Sequence, residues 1–521
     1  MTVPRLVDRD SIDHAFNLRY QAIRFVRRSF IKTLSAAAVA APFAGSVSAS
    51  EKGWDSTCDL VVIGAGGAGL SAAVAYAEAR KGKVVVLEKA PTPFMNSTSY
   101  SAGAFNAAGT KAQKEKGLSD NGNQSFADEL VKAGKGINDE KVTAVYARNS
   151  GKALDWFYDK GMKFNPIANS VFSSNRQHLP VDGSGVQYIK ILLQEAKKLN
   201  IEVICGAKAL ALETVGKGEQ VDGVLYELKG KKYKIQAKQG VIIASGGFAA
   251  NPQLVAQNIP AFQGAMTCSS PNSQGEGLLM AEKIGAASTH LPYAAIYSCG
   301  VLVDPKANRG LIFRAHLLNY NGSILVNEHG KRFMADDASP TDISLEMARN
   351  GFKKAIYIAT LPQLKKFIET INPQVTGWSK EKFLKELDEQ KVFCKHAPNA
   401  KELAEKIGVP PAALEETINH YNQLVEKGND SDFHRKFLKD KLTGELYAFV
   451  CSPVVMSTLG GLKVNDKLQV LDVYGKPIKK LYAAGEVVGG FQGGSYVGGS
   501  GVGSAMSLGR AAGESAAGKA I

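Results

Sequence analysis

Residues 61–69 read VVIGAGGAG, and residues 87–89 read LEK. An apolar strand, a glycine turn, a helix and an acidic residue closing the next strand together describe a dinucleotide site. Gly64 permits the tight turn, Gly66 lets the backbone approach a pyrophosphate, and Gly69 lets the helix lie against the strand. The helix N-terminus keeps unpaired N–H groups for the phosphates. Glu88 stands nineteen positions beyond Gly69, where a carboxylate accepts hydrogen bonds from ribose hydroxyls.

On the N-terminal side, residues 26–32 read VRRSFIK, residues 33–44 are small and apolar, and Val47-Ser48-Ala49 ends the run with the small residues that a signal peptidase reads. This pattern predicts a twin-arginine export signal over residues 1–49, a mature chain starting near Ser50 and a periplasmic location. The apolar run is too short to cross about 30 Å of hydrocarbon and is interrupted by Pro42. Export of already folded protein suits a chain that binds its cofactor before crossing.

The composition is that of a large globular chain, 45% apolar and 21% charged over 521 residues. Its length implies two domains, or one large domain with an insertion. The formal charge is +14, and residues 1–49 carry seven basic and three acidic side chains, which leaves roughly +10 for the rest. These charges are scattered along helical stretches such as residues 380–391 and are not clustered with aromatics, which argues against a nucleic-acid partner. The six cysteines (Cys58, Cys205, Cys268, Cys299, Cys394 and Cys451) show no CxxC spacing. That excludes a zinc knuckle and a CxxCH haem attachment, and no metal site is expected. Cys58, Cys205 and Cys451 adjoin apolar runs and are expected to be buried.

Residues 59–63 and 84–87 read as buried strands around a helix at 68–80, the first βαβ unit. Residues 96–109, NSTSYSAGAFNAAG, are too small to suit a core and are spaced to wrap a bound cofactor. Strands follow at 201–205, 209–214 and 220–228, then a buried one at 238–247. From about 291 to 450 the βα rhythm is lost and charge-laced helical stretches such as 400–424 appear. The glycine-rich pattern resumes at 481–490, LYAAGEVVGG, and runs through FQGGSYVGGSGVGSAMSLGRAAGESAA to residue 517. The expected fold is α/β, a Rossmann-like dinucleotide domain (50–290 and 451–521) interrupted by an inserted α+β capping domain (291–450).

Taken together, VVIGAGGAGLSAA with LEKAP, ASGGFAAN, GEG at 275–277, and YAAGEVVGG with GSAMSLGRAAGESAA resemble the flavoprotein family of fumarate reductases, succinate dehydrogenases and 3-ketosteroid dehydrogenases. The resemblance covers essentially residues 59–520 and implies FAD as cofactor. It places Ala68, Glu88, Asn96, Ser97, Ala102, Gly103, Ala209, Glu276, Glu486, Gly501 and Val502 on FAD-contacting positions. The residues add independent support, because GVGSAMSLGR opens a helix whose N-terminus can stabilise negative charge on a reduced isoalloxazine. Glu486, after a strand at 481–484, is positioned for a ribityl hydroxyl. No histidine lies within 96–109, where membrane-bound relatives attach their flavin, so FAD is expected to be non-covalent.

The resemblance breaks at the substrate positions. Pro340 and Thr341 stand where the family's proton-delivering arginine belongs, Tyr297 and Met456-Ser457 at its histidine positions, Tyr496 at another arginine, and Ala315-His316 at a threonine–glutamate pair. Every anchor for two carboxylates is replaced, so fumarate and succinate are not expected as substrates. Tyr297 and Tyr496 are similar to the tyrosines of the 3-ketosteroid dehydrogenase branch, which handle a proton and bind the substrate carbonyl. A phenol can stabilise an enolate-like oxygen and deliver a proton to the neighbouring carbon. Aromatic packing around the flavin is the alternative role for both. His316 is a further catalytic candidate, and His178 a weaker one.

The resulting expectation is an exported FAD enzyme reducing an alkene conjugated to a carbonyl group (an enone, enoate or acrylate) as a respiratory terminal reductase. Electrons would come from a separate cytochrome c, flavoprotein or membrane quinol dehydrogenase. Ketosteroid dehydrogenation and non-catalytic electron shuttling are the two rivals.

Overall fold

Residues 53–118, 122–167, 175–216, 218–369 and 379–521 are described by the structure, a computed structural model. The export signal expected over residues 1–49 lies outside the described residues. No described helix is long and apolar enough to cross a membrane.

Five parallel strands form the backbone of the first sheet, in the order Glu202–Cys205, Val84–Glu88, Ser56–Ile63, Lys231–Ile243 and Pro477–Ala483. Val61, Val62, Val85 and Val86 are at most 1% exposed, as a parallel sheet covered on both faces requires. The glycine turn after Ser56–Ile63 is fixed by sterics. Gly64 sits at φ +107°, and a Cβ on it would lie 2.5 Å from the Ala244 carbonyl oxygen. A Cβ on Gly69 would lie 1.9 Å from the Gly64 oxygen, so the helix Gly67–Ala79 can approach the strand only with glycine there.

The C-terminal helix Ser500–Ala516 packs along this first helix through small residues. Cβ atoms on Gly509 and Gly513 would lie 2.4 Å and 2.2 Å from the backbone oxygens of Ala68 and Ala72. The glycines of GVGSAMSLGRAAGESAA therefore serve helix contact as well as the site. Gly513→Val should lower stability by about 1–3 kcal/mol through overpacking, read as an earlier denaturation midpoint with weakened flavin retention.

The strand expected at 238–247 starts seven residues earlier, at Lys231. Its lysine-rich first half pairs antiparallel with Gln220–Leu228, and Tyr226 stacks on Tyr233 at 5.6 Å. A hairpin with one solvated face tolerates that alternation of Lys with apolar residues, which reads as surface when taken alone. Residues 96–109 also differ from expectation. Phe105, Ala107 and Ala108 are core residues, and Phe105–Asn106 pairs with Gln177–His178. Only the first part of the stretch, with Asn106, faces the cavity.

Between Lys231–Ile243 and Pro477–Ala483 the chain builds a second, seven-stranded sheet centred on Leu446–Thr458. The boundary drawn at 450 from the sequence falls within that strand. Period-two alternation gives this sheet two cores. Ala355, Tyr357 and Ala359 join an aromatic cluster around Phe313, while Ile356 and Ile358 join Leu403, Leu414 and Tyr421 on the other face. The helical stretch at 400–424 is two helices, Ala400–Ile407 and Pro411–Lys427, separated by Gly408 at φ +70° and started again by a proline.

All six cysteines are free. Cys58 and Cys451 are buried as expected, whereas Cys205 is half-exposed at a strand end; Cys299 and Cys394 are buried as well.

Candidate active site

A cavity of about 1460 Å³ runs from the glycine turn to the second sheet. Its first end is built by the βαβ unit. The helix Gly67–Ala79 has no side-chain cap at Gly66, and its first turn lines the cavity, with Gly67 N–H donating to Thr98 Oγ1 at 3.3 Å. Glu88 is held by the N–H groups of Ala65 at 2.8 Å and Ala90 at 2.7 Å. Each carboxylate oxygen retains lone-pair capacity for a hydroxyl. Asn96 caps the short helix Ser97–Tyr100 by accepting from Ser99 N–H at 2.9 Å, and the Ser97 hydroxyl lies 3.2 Å from that of Ser273. Glu276 is paired with Lys89 at 2.6 Å, a contact that the sequence reading did not foresee.

Of the cofactor-binding residues expected from the sequence, Gly64, Gly66, Ala68, Glu88, Asn96, Ser97, Ala102, Gly103, Ala209, Glu276, Glu486, Gly501 and Val502 all line this cavity. Gly69 does not, and acts through the helix approach described above. Two buried polar atoms without protein partners, Ser245 Oγ and Asn106 Oδ1, belong to residues on the cavity wall. An elongated cavity with a glycine cradle, a ribose-type carboxylate and orphaned polar atoms fits a bound dinucleotide.

Glu486 lies midway, in the turn Gly485–Val487. It accepts from Thr458 N–H at 3.0 Å, and burial raises its carboxyl above the usual range against the hydrogen bonds from Ser457, Thr458 and Gly247. A carboxyl tuned in this way can exchange hydrogen bonds with a polyol chain.

At the far end Tyr297, His316, Pro340, Thr341, Met456, Ser457 and Tyr496 line the same cavity. Residues up to 199 positions apart in sequence are thus brought to one wall. Burial holds the Tyr297 phenol well above the usual tyrosine range, with the nearby Tyr496 adding to the effect and Arg314 opposing it. Tyr297 hydroxyl has no hydrogen-bond partner among the described residues. Tyr496 is pushed up to about 12, chiefly by burial, and its hydroxyl oxygen accepts from Gly501 N–H at 3.2 Å in the first turn of Ser500–Ala516. Asn106 pins the loop carrying Tyr496, donating from Nδ2 to Gly498 O at 2.6 Å.

His316 is 5% exposed, with Nδ1 3.3 Å from Cys299 Sγ and its ring 5.9 Å from that of Tyr297. Burial and the charge of Arg314 bring it down to about 3, so it stays neutral at working pH. His178 is placed elsewhere: Nδ1 faces Arg176 O at 2.9 Å and Nε2 faces Thr110 Oγ1 at 3.1 Å, a structural arrangement away from the cavity. Sequence reasoning passed over Arg314. It stands directly before the Ala315-His316 pair, and a lone cation beside lost substrate anchors was the available signal. Among the described residues no cluster of three His, Cys, Asp or Glu side chains could hold a metal ion.

Residues 59–502 match the family described as FAD binding domain. The chain is 32% identical over 467 residues to a fumarate reductase (cytochrome) of Shewanella frigidimarina, covering 88% of this chain and 77% of that protein. It is 29% identical over 512 residues to the acrylate reductase flavoprotein subunit of Shewanella woodyi, covering 93% and 97%. Among solved structures, a 3-ketosteroid dehydrogenase from Rhodococcus jostii in complex with 4-androstene-3,17-dione superposes with a TM-score of 0.73 at 25% identity, covering 90% of this chain and 99% of that one. The glycine turn, the Glu88 carboxylate and the long cavity thus have their counterpart in sequence relationship, and the chain belongs to the FAD binding domain family, as an FAD-dependent oxidoreductase of the fumarate reductase-like flavoproteins.

Proposed function

We propose that this enzyme reduces an alkene activated by a conjugated carbonyl or carboxylate group, and that fumarate is not its substrate. The observation that carries the reading is the far wall of the cavity, where two phenols and a neutral histidine stand at positions that the sequence resemblance assigns to dicarboxylate anchors. When bound, FAD supplies the hydride to the β-carbon. Tyr297, an uncharged phenol throughout the working pH range, gives its proton to the α-carbon. Tyr496 donates to the substrate carbonyl oxygen as its electron density rises, its orientation held by Gly501 N–H. His316 supports the Tyr297 ring as a neutral neighbour.

Turnover with reduced viologen as electron source tests the reading across acrylates, enoates, enones and fumarate. Fumarate should be turned over at least about 100-fold less efficiently than the best monocarboxylate or enone, since each charge-assisted hydrogen bond missing for its second carboxylate forfeits about 1.5–3 kcal/mol. Fast, tight fumarate turnover contradicts the assignment of the far wall. Oxidation of a 3-ketosteroid with an artificial acceptor would favour the steroid reading in its place.

Residues 26–32, VRRSFIK, support export by the twin-arginine pathway to the periplasm, where the electron donor is a separate cytochrome c or a membrane quinol dehydrogenase, since the chain carries no CxxCH haem motif. FAD is held non-covalently, and acid precipitation should release all of it into the supernatant. Yellow colour kept in the washed precipitate contradicts this.

A further inference from the structure

The chain from Arg309 to Asn319 passes from strand to short helix between the aromatic cluster and the cavity. Phe313 points into the cluster, fully buried, with its ring 4.5 Å from that of Phe393 and 5.1 Å from that of Phe383. Its N–H donates to Cys299 O at 2.9 Å, and Leu317 N–H donates to Arg314 O at 2.9 Å. Arg314, held between these two bonds, has φ +66°, a left-handed conformation uncommon for a residue with a side chain. The backbone is thus locked in an unfavourable shape at the one residue of this turn whose cation reaches the cavity wall.

Three other cations on the cavity wall are paired: Lys89 with Glu276, Lys135 with Asp342, and Arg176 with Glu129. The Arg314 guanidinium has no hydrogen bond or ion pair among the described residues. Its neighbours Tyr297, His316 and Cys299 are all uncharged at neutral pH, and each is displaced by its positive field. A partly buried guanidinium without a counter-anion is costly, and a planar carboxylate is the ligand that its donor fork matches.

We infer that Arg314 is the substrate anchor, a single guanidinium that binds the carboxylate of an α,β-unsaturated monocarboxylate beside Tyr297. The inference deepens the proposed alkene reduction and rests on it for the double bond alone. One cation fits one carboxylate, which selects monoanions over dianions and over uncharged enones.

Binding of propionate and of propionamide to the oxidised holoenzyme, followed by the flavin absorption spectrum, isolates the charge because the two ligands are nearly isosteric. Wild type should bind propionate about 10–100-fold more tightly than propionamide. Arg314→Met should erase the preference, and Arg314→Lys should restore part of it, with flavin content checked in each variant. A wild type without preference, or Arg314→Met keeping it, overturns the inference. Loss of viologen-linked turnover in Arg314→Met with the preference intact also overturns it, and would assign Arg314 to the Tyr297 proton. Propionate selectivity without reduction of any alkene would leave the anchor standing and remove the proposed reaction, so the two failures are distinguishable.

Discussion

Tyr297→Phe should bind FAD as the wild type does and lose about 10²–10⁴-fold in turnover, the range that a positioned proton donor contributes. The change removes one oxygen from a wall residue whose hydroxyl makes no hydrogen bond among the described residues. Reduction of the flavin by the electron source should be unaffected, which confines the defect to the half-reaction with the alkene. Tyr496→Phe should show a smaller deficit divided between kcat and KM, because Tyr496 binds oxygen and its loss also frees Gly501 N–H. The pH profile carries a second signature. His316 is already neutral above about pH 3 and both phenols remain protonated past pH 10, so none of the three should put a limb in kcat between about pH 5 and 9. A limb near pH 6.5 that disappears in His316→Gln would move the proton from Tyr297 to the histidine. Wild-type rates in Tyr297→Phe would return that residue to a packing role.

Asp336→Ala should cost about 3–5 kcal/mol of stability, the largest effect expected of any substitution away from the cavity. Asp336 is fully buried and accepts from Arg332 Nη2 at 2.6 Å, from Arg435 Nη1 at 3.3 Å and from Leu325 N–H at 2.5 Å. Asp430 completes the network, accepting from Arg332 at 2.7 Å, with Tyr421 and Phe433 against the guanidinium. Two carboxylates balance two guanidiniums in the interior. Without Asp336, one of those cations keeps its desolvation and loses its partner. The network also ties residues 332–336 to 430–435 just ahead of Ser339, which caps the helix Pro340–Asn350 on the cavity wall. Denaturant midpoints of the holoenzyme measure the loss, with Glu369→Gln as the comparison. Glu369 meets Lys380 on the surface, where water and salt screen the pair, and its removal should leave the midpoint unchanged. An unchanged midpoint for Asp336→Ala would mean that water replaces the carboxylate in the interior.

The nucleotide end of this protein was legible because its constraints are local. Gly64, Gly66, Gly69 and Glu88 act within about thirty residues, where strand, turn and helix periodicities can be read directly. The C-terminal helix was legible for the same reason, although its glycines turned out to serve packing against Ala68 and Ala72 as well. The second sheet escaped because its strands pair across long separations, with Ala294–Asp304 meeting Leu446–Thr458. Phe105 was mistaken for part of a cofactor wrap because its neighbours are small, while its burial depends on Tyr188, far along the chain. The far wall shows both outcomes at once. Tyr297, His316 and Tyr496, singled out where the sequence departs from the family it resembles, do line the cavity, and their catalytic roles are the proposal made above. Arg314 was missed because a guanidinium without a partner among the described residues shows only in the folded cavity, its place directly before Ala315-His316 being the one hint in the sequence.

The central claim is that the reduced flavin of this enzyme passes its electrons to an activated monocarboxylate alkene. Holoenzyme reduced anaerobically with one equivalent of dithionite, then mixed with acrylate or a longer 2-enoate, should regain its oxidised flavin absorbance within the time of a single turnover and yield one equivalent of saturated acid. Fumarate should reoxidise it far more slowly. A flavin that stays reduced with every enoate, acrylate and enone tried would contradict the account and leave an electron-shuttle protein in its place.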